Sequence, residues 1–347
     1  MLVFGQIRLD CSFKSHDKNT KGEGLIKARK QKNFREYSGM NFWEWVDFLC
    51  IIPQFWKLLK RHPHLRVNAH NHTKESDGVM GLVSLLFWNW ICGFWEVWIT
   101  DHNIVWDEKN LWNRFIAWFF EFFLNVKTVA GVEISCNADL SRYCGCEYEE
   151  VHLVGGEFKR DTQFLKERLE LSQAGRDKRT EATVEEIEKK GFNIPSYAEM
   201  KKKYGNITAR VIAENVFDEK GRRIDPETFE KNYLQRGQEF YLPKDFLPTV
   251  KEALSLIERA GGWRIFPHPW KTLGSEGFNL SRSDVLLLFK SQGLQKVESN
   301  TKRQTKEMKD NIERDCFVCG LQISGGGDVH DMGDFRDYMK NMFKVYA

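Results

Sequence analysis

Asn68-Ala69-His70-Asn71-His72-Thr73-Lys74-Glu75-Ser76-Asp77-Gly78 is the stretch on which the reading of the fold turns. Leu65-Arg66-Val67, directly before it, reads as a short strand, so His70 and His72 leave the strand end on one side, with the carboxylate of Asp77 close behind. A lone His-x-His is more often a satisfied pair in a core than a metal site. The stretch gains meaning from short segments downstream that end in side chains of the same chemistry.

Working outward, Val79 to Trp95 is a run of 17 residues without a charge, near the lower limit of a membrane span. A spanning helix would hold its ends ~30 Å apart, yet Asp77 and the Asp101-His102 pair flank the run with matching chemistry. A helix over about Leu82 to Cys92, a turn at Gly93 and a strand over Trp95 to Thr100 bring both ends to one face, so a βαβ crossover is expected and a transmembrane span is not. Leu111 to Asn125 follows as an aromatic helix with a narrow polar stripe. It is expected to be buried on most sides, with the spare aromatic surface forming a homo-oligomer contact; contact with another protein or a membrane is the alternative. Lys127 to Glu133 reads as a third strand ending in a carboxylate, and Glu150 to Gly155 as a fourth carrying His152.

From about Lys159 the chain becomes charged and helical (Phe164 to Lys190, Tyr197 to Tyr204, Thr208 to Phe217), the pattern of an inserted subdomain. Strand signals return at Trp263 to Phe266, before Pro267-His268-Pro269, at Leu294 to Val297, and at Leu321 to Ser324, before Gly327-Asp328-Val329-His330. The expected organisation is a polar leader (1–40), a helical extension (41–64), a first barrel part (65–158), a helical insertion (159–250) and a second barrel part (251–347). Strand, polar cluster and helix alternate as in an α/β barrel.

Composition sets wide bounds. The chain has 347 residues and a formal net charge of +3, so neither nucleic acid nor membrane is implied by charge alone. The eight cysteines are scattered, and the first residues lack a signal-peptide pattern, so a reduced, cytoplasmic protein is expected. Cys144, Cys146, Cys316 and Cys319 could assemble a structural zinc site, but a loop pair and a strand-flanking pair make this the lesser reading.

The strand-end residues are His70, His72, Asp77, His102, Glu133, His152, His268, Asp328 and His330. Imidazole and carboxylate without thiolate suit Mn²⁺, Zn²⁺ or Fe²⁺ with open positions for water, and nine donors exceed the needs of one ion. Two or three divalent ions sharing a carboxylate are therefore expected. His70-Asn71-His72 with Ser76-Asp77-Gly78, Thr100-Asp101-His102-Asn103, Gly131-Val132-Glu133-Ile134-Ser135, His152-Leu153-Val154-Gly155, His268-Pro269 and Gly327-Asp328-Val329-His330 resemble the ordered motifs of the PHP (polymerase and histidinol phosphatase) family. The long insertion, with Ile207-Thr208-Ala209-Arg210 and Tyr233-Leu234-Gln235-Arg236-Gly237, resembles the branch that holds nucleoside 3′,5′-bisphosphate phosphatases and 5′-to-3′ exoribonucleases.

The resemblance implies a distorted (β/α)7 barrel, α/β in class, with all nine residues as metal ligands and Glu133 bridging. It departs from the branch at Asn68 and Asn103, where Asp is usual, and at Val211, where His is frequent. Asn68 is expected to weaken the support of His70. The implied reaction is hydrolysis of a phosphomonoester of a nucleotide or other small phosphorylated metabolite by a metal-bridged hydroxide. Asp101 is expected to hold a histidine or the water. Lys74, Arg176, Arg179, Arg210 and Lys271 are the candidate phosphate clamps, Arg210 foremost because it opens a helix. The alternatives are a 5′-to-3′ exonuclease on short nucleic acid and a metal-binding interaction module without catalysis.

Overall fold

A computed structural model describes residues 40–107, 109–138, 140, 149–205, 207–269, 282–302 and 304–346. Most of the expected leader, Lys271 and the Cys144/Cys146 pair lie outside them. The chain opens with α1 (Phe42–Arg61), started by a reciprocal cap in which Asn41 Oδ1 accepts from Glu44 N and Asn41 N donates to Glu44 Oε2. A 3₁₀ turn (Pro63–Arg66) then leads into β1 (Val67–Asn68), shorter than expected.

The apolar run folds back as anticipated. It forms α2 (Leu82–Cys92), stopped by Gly93 in the left-handed conformation (φ 91°), and then β2 (Glu96–Ile99). Among the described residues no helix is long and apolar enough to cross a membrane. α3 (Leu111–Leu124) is capped by Asn110, and only Ile116 and Phe120 on it are fully buried. Burial on most sides is thus not what the structure shows.

β3 (Lys127–Ala138) continues well past Glu133, and β4 (Glu149–Gly156) pairs back along it antiparallel. The expectation of a helix between every strand fails here, because an eight-residue strand reads the same in either direction. α4 (Gln163–Lys189), α5 (Tyr197–Tyr204), α6 (Ala209–Glu214) and α7 (Pro226–Phe229) follow, before α8 (Val250–Arg259) returns to the sheet. β5 (Trp263–Phe266), α9 (Arg282–Ser291), β6 (Lys296–Asn300), α10 (Lys306–Cys319), β7 (Gln322–Gly325) and α11 (Met332–Tyr346) complete the chain.

The seven strands lie in sequence order, parallel except for β4. The two edges meet: Ala69 N donates to Gly325 O (3.3 Å), and Asn71 bridges Val329 in parallel register. The result is the expected distorted seven-stranded α/β barrel. Its interior is filled by Ala69, Trp98, Val129, Val154 and Ile265. Trp98 occupies so much of that space that a β-carbon on Gly156 would lie 2.4 Å from its ring, so β4 needs glycine there.

Outside the sheet, one apolar cluster packs β3 and β4 against α8 to α10, and another packs α1 to α3 against α11. A separate cluster in the insertion joins Val184 and Ile187 of α4 to Met200, Ile212 and Phe229. α4 carries Leu165 and Leu169 in the barrel cluster, so this one helix is shared by two cores.

Candidate metal centre

Strand pairing carries past the end of β2 into the next loop. Glu133 N donates to Asp101 O (3.1 Å) and Asn103 N to Glu133 O (2.7 Å), which sets His102 beside Glu133. The same device works at the seam. His72 N donates to Val329 O (2.9 Å) and Val329 N to His70 O (3.3 Å), interleaving the His70–His72 and Asp328–His330 segments. His152 arrives from the antiparallel β4, opposite Ser135, so its site lies near the start of a strand and not at a strand C-terminus.

All nine predicted residues converge. Glu133, fully buried, faces five imidazoles. Its Oε1 lies 2.9 Å from His152 Nδ1 and 3.0 Å from His268 Nε2. Its Oε2 lies 3.2 Å from His70 Nε2, 3.2 Å from His72 Nε2 and 3.1 Å from His102 Nδ1. Asp77 reaches His102 at 3.5 Å and His330 at 3.3 Å, and Asp328 lies 3.8 Å from His70.

Four sets each bring ligand atoms within 4.8 Å of one another: His72, Asp77, His102 and His330; His70, His268 and Asp328; His70, His72 and Glu133; and His102, Glu133 and His152. Glu133 Oε2 is buried without a hydrogen-bond partner, as is His72 Nδ1. The Nε2 atoms of His70 and His72 face each other at 3.0 Å. Orphaned donor atoms, imidazole facing imidazole and no thiolate are what hard-to-borderline divalent ions require, so the residues fit the implied metals.

The electrostatics agree. Burial alone would raise the carboxyl of Glu133, but His102, His70 and His152 hold it well below its usual range. Burial lowers His70 while Glu133 and Glu298 outweigh it, so that imidazole sits well above its usual value. His72 has mainly burial acting on it and falls to about 3. Desolvation opposes charge on His152, but Glu133 and Glu150 raise it to about 9, and Asp334, Asp77 and Asp328 carry His330 up to about 10. Asp328 and His268, both in the candidate set, have positive φ (49° and 30°), and so does Asn103 (54°). Backbone in this region is held only where surrounding contacts enforce it.

Several supporting residues escaped the sequence reading. Glu298, at the centre of β6 and fully buried, accepts from His70 Nδ1 (3.0 Å) and from His268 N (2.8 Å). It can reach His70 because position 326 is glycine: a β-carbon there would meet Glu298 Oε1 at 2.2 Å. Lys302 donates to the carbonyl of Asp328 and to Asp334 Oδ2 (2.7 Å). The signals were a carboxylate at the end of the expected Leu294–Val297 strand and an acid one turn after His330.

Other expectations change. Asn68 does not support His70, whose Nδ1 is held by Glu298. Its Nδ2 donates to Asn71 Oδ1 (2.7 Å) and Asn89 Oδ1 (2.9 Å), and its Oδ1 accepts from Gly327 N (2.8 Å). The oxygens of Asp101 accept from Thr73 N and Thr73 Oγ1 (both 2.7 Å) and from Ser76 Oγ (2.6 Å), so this carboxylate shapes the His72–Asp77 loop and not a histidine. Asn103 links the loop to Ser135.

Arg210 is 54% exposed and paired with Glu214 one turn on, and its helix has only six residues. Arg179 donates to Leu242 O (2.6 Å) and covers the Tyr241 ring, and Arg176 precedes it by one turn on α4. Val211 packs against the insertion's own cluster. A cleft of about 460 Å³ opens beside His102 between the barrel loops and the insertion, lined by Lys74, Lys166 and Lys201 together with Glu75 and Glu170, and Lys201 is paired with Asp177 (2.8 Å). Cys316 and Cys319 are buried in α10, with the Cys316 thiol pushed up to about 12 by burial.

No protein-family model matches the chain, and no curated protein matches it in sequence. Solved structures do share the fold. An amidohydrolase from Chromobacterium violaceum, with bound sulfate and no metal, is 20% identical with a TM-score of 0.59, over 77% of this chain and 90% of that one. A candidate metal-dependent phosphoesterase from Bifidobacterium adolescentis is 19% identical with a TM-score of 0.58, over 77% of this chain and 88% of that one. The chain therefore has the barrel fold of these proteins.

Proposed function

We propose that this chain is a metal-dependent hydrolase of the PHP type that cleaves phosphoric esters, with a phosphomonoester of a nucleotide or other small phosphorylated metabolite as substrate. The observation that carries this reading is the buried carboxylate of Glu133, with both oxygens facing imidazoles of five different histidines. Two or three divalent ions (Mn²⁺, Zn²⁺ or Fe²⁺) would be held by the nine residues, Glu133 shared between them. When bound, such ions supply Lewis acidity toward phosphoryl oxygens and an activated water.

The chain's own residues do the rest. Glu298 fixes the ring of His70 and the backbone of His268, so two ligands stay aimed without the ions. Asp101, through Thr73 and Ser76, holds the loop that carries Asp77. Lys74, Lys166 and Lys201 outnumber Glu75 and Glu170 around the cleft beside His102, a small positive excess that suits an anionic ester better than a neutral amide. The fold shared with a candidate phosphoesterase supports the same choice, and the one shared with an amidohydrolase keeps amides as the comparison substrate.

Purified protein should contain more than one equivalent of transition metal and hydrolyse nucleoside monophosphates or 4-nitrophenyl phosphate with Mn²⁺. Glu133→Gln keeps the shape but removes the shared charge, and should lower both metal content and turnover by at least about 100-fold. Bound metal without turnover on any phosphoester would move the assignment to the non-catalytic module. Cleavage confined to oligonucleotide 5′ ends would move it to the exonuclease.

A further inference from the structure

α3 is amphipathic in the wrong sense for a helix that only packs on a barrel. Ile116 and Phe120 face the core, while Trp112, Phe115, Trp118, Phe119, Phe122 and Phe123 face outward, Phe122 at 70% exposure. Their rings run in contact along the helix: Trp112 to Phe115 at 5.9 Å, Phe115 to Trp118 at 6.0 Å, Trp118 to Phe122 at 5.5 Å, Phe122 to Phe123 at 4.9 Å.

The face is wider than one helix. Trp56 of α1 and Phe87 of α2 are also exposed, and a cleft lined by Trp56, Trp90, Trp95 and Leu124 joins the three elements. Only Arg114 and Glu121 break the outer surface of α3 with charge. Exposing so much contiguous apolar surface to water is costly, and a monomer rarely keeps it uncovered.

Charge distinguishes the possible occupants. The last turn of α1 carries exposed Lys60 and Arg61, and Lys60 lies one turn on from Trp56. Residues 1–39, which join α1 next to the exposed Phe42 and Trp43, hold nine lysines and arginines against four acids, a larger excess than the +3 of the whole chain. A second copy of the chain would bring the same positive charge to the contact, whereas an anionic lipid surface carries the opposite sign. The composition agrees. Tryptophan and phenylalanine, not leucine and isoleucine, dominate the face, and aromatic rings are the residues that settle at the headgroup level of a bilayer.

We propose that the α1–α3 face is a peripheral membrane-docking surface for anionic lipid: α3 lies in the plane of the interface, and the basic flank adds electrostatic attraction. Aromatic burial and the basic flank of α1 together supply the two signals that stable but reversible anchoring needs. Among the described residues no helix is long and apolar enough to span the bilayer, and in this arrangement the barrel stays outside it.

The test uses the full-length protein and vesicles of phosphatidylcholine with or without phosphatidylserine. The protein should co-sediment with the phosphatidylserine vesicles, and its tryptophan emission should shift to the blue and be quenched by brominated phosphatidylcholine included in those vesicles. Pure phosphatidylcholine or raised salt should weaken binding by about tenfold or more. The double variant W118S/F122S should weaken it by roughly tenfold to a hundredfold with its thermal midpoint unchanged. L111S/W112S, at the other end of the helix, provides an independent variant if the first fails to fold. Absence of phosphatidylserine-dependent binding by the wild-type protein overturns the proposal. A dimer seen by light scattering, dissolved by either variant, with no vesicle binding, would overturn it and give the face to a second copy.

Discussion

Asn68→Asp separates two accounts of the same position. In proteins whose motifs this chain resembles, Asp is usual there, so an Asp would be expected to improve the site. The structure predicts the reverse. Asn68 Nδ2 lies 2.7 Å and 2.9 Å from the amide oxygens of Asn71 and Asn89. Those oxygens cannot turn away, because Asn71 Nδ2 is engaged with Asn68 O and Trp98 O, and Asn89 Nδ2 with Leu85 O. Asn68 cannot flip either, since Gly327 N donates to its Oδ1. An aspartate would place a carboxylate oxygen against two acceptors in a fully buried site.

Two buried acceptors losing their donor cost about 1–3 kcal/mol each, and the buried charge adds to that. A loss of about 3–5 kcal/mol follows, which for a chain of this size lowers the melting temperature by roughly 4–7 °C. Burial raises the folded-state pKa of this new carboxyl above its unfolded value near 3.9. Protonation therefore favours folding, so the variant should recover as pH falls toward 4 and lose stability as pH rises through the folded pKa. Denaturation with and without Mn²⁺ across that range measures it. An Asn68→Asp protein as stable as wild type at pH 7, with tighter metal binding, would refute the reasoning.

Other predictions follow from the same contacts. Glu298→Gln keeps an acceptor for His268 N but removes the negative charge behind His70, so metal affinity by calorimetry should fall about 10- to 100-fold with the fold retained; unchanged affinity would count against its role. In metal-free protein, His152 and His330 have pKa values raised to about 9 and about 10, so the stability they contribute is complete below about 6.5 and is lost as pH rises through 9 to 10. The depressed pKa of His72 acts oppositely, present above about 6.5 and lost as pH falls toward 3. Melting temperatures of the metal-free protein should therefore peak near neutrality and decline on both sides, and a flat profile from pH 7 to 10 would contradict the cluster's electrostatics. Lys166→Ala with Lys201→Ala should raise KM for a phosphoester about three- to tenfold with kcat within about twofold, since these side chains line the cleft and take no part in the histidine–carboxylate cluster.

The candidate site was legible because its chemistry is local. His70-x-His72, Asp101-His102 and Asp328-Val329-His330 announce donor atoms wherever the chain takes them, and the barrel brings all nine predicted residues together. What the sequence hid was relational. Glu298 is a single acid within Lys296–Asn300, and its partners lie 228 and 30 residues away. The reversal of β4 leaves no local mark, since pairing partners decide strand direction. Arg210 opens a helix of only six residues and is paired with Glu214 at 2.9 Å, a partner that helix geometry rather than residue type brings within its reach. Asn68 was read as a defect because its three partners, at 71, 89 and 327, could not be seen together.

The seam between β1 and β7 has a consequence for how the molecule is kept in working order. The hydrogen bonds that join the barrel's two edges run through His72, Val329 and His70, so the backbone that completes the cylinder is the backbone that carries the donor atoms. Closing the cylinder therefore also brings the His70–His72 and Asp328–His330 segments together, and ions held by them would act as a clasp on this junction. A chain stripped of ions would open first along this line, and exchange of the His72 and Val329 amide protons with solvent would read the state of the clasp before activity or global unfolding changed.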